Sequence, residues 1–209
     1  DTFQIGSASD VSSGIELSGG AGTDVVTLTS TDITSLVFPF QNTSIATTET
    51  LNLSGGASNG VAVTLNIRSI DGDGTDFTTI IADGTSDSLT ISSEDNANTA
   101  SIENTTLNGI EVVNFGGNTN NSSFGTNLII NASTTLTGLT TITGVADSSS
   151  VADDDILLSG NRDFSGLTLN VVDKLQLQDG SGTRQTIGTN SSTSFGTTEI
   201  VGFSQGTED

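Results

Sequence analysis

The chain is 209 residues long, 32% hydrophobic, and carries 25 acidic against 4 basic residues, a formal net charge of −21. That balance repels nucleic-acid phosphates and anionic membrane surfaces and makes cations the natural counter-ions. Without Cys or His, the chain has no disulfide, no thiolate metal site, no cysteine nucleophile and no imidazole base.

Thr, Ser, Asn, Gly and Asp dominate the remainder, and β-branched residues occur throughout. This composition favours strands joined by turns. Short apolar strands recur along the whole length, which argues against disorder. No run approaches the length of a membrane-spanning helix, so no direct membrane insertion is expected.

In chain order, Asp1-Thr2-Phe3-Gln4-Ile5 has the form of the second half of a Gly-Gly-x-Gly-x-Asp-x-hydrophobic-x unit. Gly19-Gly20-Ala21-Gly22-Thr23-Asp24-Val25-Val26-Thr27 supplies that unit whole. Gly19, Gly20 and Gly22 give turn freedom, Asp24 a carboxylate, and Val26 and Leu28 a buried face. Side chains alternate along a strand, so Asp24 is expected to point the same way as Val26 and Leu28. A carboxylate there must be hydrogen-bonded, paired or metal-bound. Calcium, which takes about six to eight oxygens from carboxylates and turn carbonyls, suits it. So does a cap that accepts backbone N–H bonds. Leu36-Val37-Phe38-Pro39-Phe40 holds the only proline and reads as an edge strand or bulge.

Glu49-Thr50-Leu51-Asn52-Leu53 opens a family that returns at Glu111-Val112-Val113-Asn114-Phe115 and Asp173-Lys174-Leu175-Gln176-Leu177, 62 residues apart each time. Asn52, Asn114 and Gln176 share one place in it, and Asn52 and Asn114 suggest rungs of an amide ladder. A second family precedes the first: Asp24–Leu28, Asp87–Ile91 and Asp154–Leu158. We therefore expect one repetitive domain over 1–209 with three imperfect repeats, about 19–80, 81–143 and 144–209. Asp71-Gly72-Asp73-Gly74-Thr75-Asp76 concentrates three carboxylates in an offset form of the glycine motif. It is no EF-hand, because the twelfth position from Asp71 is Ala82. The candidate calcium residues are Gly19, Gly20, Gly22, Asp24, Asp71, Asp73, Asp76 and Asp87, with Glu49, Glu111 and Asp173 behind them. Asp153-Asp154-Asp155 reads as a solvated loop or a cation-neutralised cluster. Seven Asn-x-Ser/Thr sequons follow from the composition and mean only that glycosylation is chemically allowed. The end, Gln205-Gly206-Thr207-Glu208-Asp209, has the look of the first half of another nonapeptide. With no initiating Met and no signal peptide, a segment of a longer protein is expected.

Short strands recur about twenty residues apart, the length of one solenoid coil. The expected fold is all-β: a parallel β-helix or β-solenoid of nine to ten coils, a rod on the order of 45 Å long at ~4.8 Å per coil. The alternative is an antiparallel β-sandwich. The repeats and the lack of two-residue hairpin turns favour the solenoid.

On the Asp24 nonapeptide, the Asp-x-hydrophobic strands and the Glu-Thr-Leu-Asn-Leu segments, the chain resembles bacterial secreted surface proteins. It is similar to the β-strand-repeat regions of type I-secreted RTX adhesins and S-layer proteins. Composition carries that resemblance over the whole length; the specific motif covers only Gly19–Thr27, with echoes at Asp71–Asp76 and Asp1–Ile5. The nonapeptide is not repeated in tandem, so isolated calcium sites are expected rather than a regular ladder. The resemblance implies a structural protein of the cell exterior, in an S-layer, sheath or filament, stabilised by Ca2+ and assembling with identical subunits or neighbouring repeats. A calcium-dependent adhesin module binding a surface or glycan is the alternative, and a polysaccharide-active β-helix enzyme the third. Without Trp, Tyr or His, and without a cluster of basic residues, no catalytic residues are expected.

Overall fold

The computed structural model describes residues 1–11, 16–38, 44–66, 70, 77–92, 99–115, 126–144, 154–178 and 185–202. Alternation along each short strand decides the architecture. In Val25–Leu28 and Val112–Phe115 every second residue is buried, so one face is wholly apolar and the other mixes Val with Thr or Asn. Such strands bury their apolar face by stacking rather than by forming hairpins.

The first sheet stacks Thr2–Ile5, Val25–Leu28, Thr50–Asn52, Thr79–Ile81, Thr106–Asn108 and Thr135–Thr137 in that order. The second stacks Ser35–Val37, Ala62–Asn66, Ser88–Ser92, Val112–Phe115, Thr141–Thr143 and Thr168–Asn170. The third stacks Thr99–Ser101, Asn127–Asn131, Asp155–Ser159, Lys174–Gln178 and Glu199–Gly202. Two short pairs, Glu16–Ser18 with Ser44–Ala46 and Arg162–Asp163 with Ile187–Gly188, add partial turns. All strand pairings among the described residues are parallel. The chain visits the three sheets in turn, which makes a β-solenoid and not an antiparallel sandwich.

The coil count differs from the sequence expectation. The two six-stranded sheets give about six turns, not nine to ten. The reason is coil length. Successive strands of the first sheet pair Thr2 with Val25, Thr50 with Thr79 and Thr106 with Thr135, so a turn takes 23 to 29 residues. The turns between the strands absorb the extra length.

Core residues stack in files. Val26, Leu51, Ile80 and Leu107 form one, Leu36, Val63, Leu89, Val113 and Ile142 a second, and Leu128, Ile156 and Leu175 a third; all are fully buried. Each such side chain contributes roughly 1.5–3 kcal/mol. At the first end a short 3-10 helix, Ala8–Val11, stands in place of a strand, packs against Ser35–Val37 and buries Val11. The strand Ser35–Val37 lies at the end of its sheet, as expected of the segment leading to Pro39, which itself lies outside the described residues.

The amide ladder does not form. Asn52 lies in the first sheet, Asn114 in the second and Gln176 in the third, so they never stack on one another. Asn52 Oδ1 instead accepts the Ser54 N–H at 3.0 Å, and Gln176 Nε2 donates to Asp155 Oδ2 at 2.5 Å.

Candidate functional site

The 62-residue spacing is longer than one coil and shorter than three. It moves the chain up two coils and across one sheet. Asp24 precedes a strand of the first sheet, Asp87 one of the second, and Asp154 one of the third. The same acidic corner thus recurs at all three corners of the solenoid, at successive levels.

Each corner aspartate is buried: Asp24 is 0% exposed, Asp87 1% and Asp154 2%. As alternation requires, Asp24 points inward with Val26 and Leu28, and Asp87 with Leu89 and Ile91. Each accepts a donor from the coil before, a main-chain N–H at Asp87 and Asp154 and a terminal ammonium at Asp24. The Asp1 amino group donates to Asp24 Oδ1, Val61 N–H to Asp87 Oδ1 at 2.7 Å, and Thr126 N–H to Asp154 Oδ1 at 2.8 Å. Each corner aspartate's own N–H is capped by an acid one coil further on. Asp24 N–H donates to Glu49 Oε2 at 2.7 Å, Asp87 N–H to Glu111 Oε2 at 2.6 Å, and Asp154 N–H to Asp173 Oδ2 at 2.9 Å. The two acid families of the sequence are therefore partners in one device. A buried N–H at a strand entry lies outside the regular ladder and would be costly unpaired. The next coil ends the column with Thr: Thr78 N–H and Thr140 N–H donate to the Glu49 and Glu111 carbonyls, each at 2.9 Å.

The backbone repeats as well. Gly22, Thr47, Gly109, Gly138 and Val171 all have positive φ and all stand two residues before a corner residue. Turning the chain sharply into the strand demands that conformation, which glycine adopts freely and Val171 does not.

The expected calcium residues divide. Gly19 lies over the Asp24 carboxyl, where an added Cβ would sit 2.3 Å from Cγ. Around Gly20 and Gly22, at φ +83° and +127°, the space is open. Asp24 Oδ2 is buried with no hydrogen-bond partner among the described residues. That oxygen and the neighbouring turn fit one end of a calcium shell. Asp87 is different: Oδ1 takes Val61 N–H and Oδ2 takes Gly84 N–H at 3.2 Å, so it serves as a cap at both oxygens. Asp24 and Asp87 stand on different sheets and are not brought together. Asp71, Asp73 and Asp76 lie outside the described residues. Among the described residues, no three Asp or Glu side chains are grouped to hold a metal ion.

Sequence reasoning missed the pairing between the two acid families, and with it the role of Asp154. The signal was present: Glu49 follows Asp24 by 25 residues and Glu111 follows Asp87 by 24, one coil each time. It also missed a groove of 410 Å³ beside Arg162 and Asp163, where one of the few basic residues sits without a sequence motif to mark it. Comparison with family models, curated proteins and solved structures finds no match to this chain.

Proposed function

We propose that the chain is a structural element of a bacterial cell surface, part of an S-layer, sheath or extracellular filament, built through contacts with copies of itself or with neighbouring repeats. The observation that carries this reading is the use made of the corner carboxylates. At all three corners they bind main-chain N–H groups of adjacent coils, which ties the stack together. A stiff, strongly acidic rod with a Thr- and Asn-rich exterior suits a load-bearing surface unit. Its extracellular placement rests on the resemblance to RTX and S-layer proteins.

Calcium belongs to this proposal at Asp24. Asp24 Oδ2 and carbonyls of the Gly19–Gly22 turn would hold it, and it would offset the repulsion between Asp24 and Glu49 on successive coils. Size-exclusion chromatography and electron microscopy, first with calcium and then with EGTA, test the reading. Ordered assemblies are expected with calcium and their loss with EGTA. A monomer with unchanged circular dichroism in both would overturn it. The second reading, an adhesin module, is favoured by the groove beside Arg162.

A further inference from the structure

The strands Arg162–Asp163 and Ile187–Gly188 pair in register, with Arg162 beside Ile187 and Asp163 beside Gly188. Gly188 leaves room that a side chain would fill: an added Cβ would meet Asp163 Oδ1 at 2.8 Å. The resulting groove is shallow and open to solvent, with a volume of 410 Å³.

Arg162 is half-buried in the groove wall, and burial pulls its pKa down from the usual value. Its guanidinium can donate five hydrogen bonds. Among the described residues its side chain makes one, a 3.3 Å contact from Nη1 to the Asn131 carbonyl, and no carboxylate lies within ion-pair distance. In a chain with 25 acidic residues, a partly desolvated guanidinium with no carboxylate partner among the described residues is an open position for one. Asp163 is fixed differently. Its Oδ1 accepts the Ser165 N–H at 2.9 Å, and the Ser165 bonds hold its carboxyl below the usual range. It stays ionised and faces the groove as an acceptor. Asn161, Thr186 and Thr189 supply amide and hydroxyl groups along the rim.

We propose that this groove binds an acidic sugar residue of the uronate type, free or within a polysaccharide. The sugar carboxylate occupies Arg162, and ring hydroxyls donate to Asp163 and exchange hydrogen bonds with Asn161, Thr186 and Thr189. A neutral sugar would leave the guanidinium without its counter-charge. A phosphate dianion carries twice the charge of a uronate carboxylate and would be repelled the more strongly by Asp163 and by the net charge of −21. No aromatic ring lines the groove among the described residues, so charge and hydrogen bonds carry recognition, and dissociation constants on the order of millimolar are expected. The site stands independently of the layer-forming role.

NMR titration of the chain with trigalacturonate, and with its fully methyl-esterified counterpart, tests the proposal. Saturable binding of the acid is expected, with about tenfold weaker binding of the ester and a similar loss in Arg162→Gln. The double variant Thr186→Ala/Thr189→Ala changes only exposed side chains and is expected to bind about threefold more weakly. Absence of saturable binding up to about 20 mM, equal affinity for the ester, or unchanged affinity in both variants would each overturn the proposal. Circular dichroism separates loss of the groove from loss of the fold; if Arg162→Gln unfolds, the ester and the threonine variant decide. Failure to assemble in calcium would leave this result untouched, and a negative titration would leave the assembly reading untouched.

Discussion

At the Asp24 corner one carboxylate oxygen takes a donor and the other has no partner among the described residues, whereas at the Asp87 corner both oxygens take backbone N–H groups. The glycines differ too. Gly19 is pressed against the Asp24 carboxyl, while Gly84 donates its N–H to Asp87 and leaves its Cα clear, with Glu111 Oε1 at 3.6 Å from an added Cβ. The same position in the repeat is thus a closed cap at one corner and a cap with a spare acceptor at the other. The comparison teaches that a glycine-rich motif and a plain acidic strand entry can do one structural task, and that only the spare oxygen distinguishes the corner where a cation fits.

Removing the carboxylates should break the comparison most strongly. Asp87→Ala leaves the buried Val61 N–H and the more exposed Gly84 N–H without acceptors, and a loss of about 3 kcal/mol is expected in urea unfolding. Asp24→Ala loses one donor's partner and also removes an unpaired buried oxygen, so about half that loss is expected. Equal losses would mean that the two corners are equivalent.

Next in size are the glycines. Gly19→Ala drives a Cβ into a buried, hydrogen-bonded carboxyl, and about 2 kcal/mol of destabilisation is expected. Gly84→Ala has the space but must hold φ near +82°, at a cost of about 1 kcal/mol. Thermal unfolding of the two variants side by side measures the difference.

The third corner sharpens the comparison in the other direction. Val171 is β-branched, 42% exposed, and held at φ 55° where the second corner uses Gly109. Val171→Gly should raise stability by about 1 kcal/mol, read as a higher urea midpoint.

The smallest effect concerns acid. Asp83, in the loop before Asp87, is held below its ordinary pKa of 3.8 by the Thr85 hydroxyl and backbone. The Asp24 loop has no counterpart. A depressed carboxylate contributes stability that is present above the unfolded value and lost as pH falls through the folded one. The stability difference between the native chain and Asp83→Asn should therefore shrink between pH 5 and pH 3; a constant difference would remove Asp83 from the comparison.

Much of this arrangement was legible in the residues. Val26, Leu28, Leu89 and Ile91 alternate with Thr, Ser and Val, so the buried faces and the inward aspect of Asp24 and Asp87 followed from the two-residue period, while the repeats and the lack of hairpin turns favoured parallel stacking over a sandwich. Coil length was not legible, because it depends on the corners, and corner residues carry no period. Asn52, Asn114 and Gln176 illustrate the limit: equal sequence spacing suggested a stack, yet 62 residues carry the chain onto a different sheet each time. Arg162 was equally silent, since its groove is made by Gly188, a full coil away.

By itself the sequence determined short alternating strands with acids at their entries, because alternating hydrophobicity and turn residues act locally, and its repeats favoured a β-solenoid over a sandwich. Only the tertiary structure decided what those acids touch. Apart from the local Gly84 bond to Asp87, the donors to these carboxylates come from a neighbouring coil some 19 to 28 residues away, and each partner is fixed by how much chain each corner takes up before the next strand falls into register.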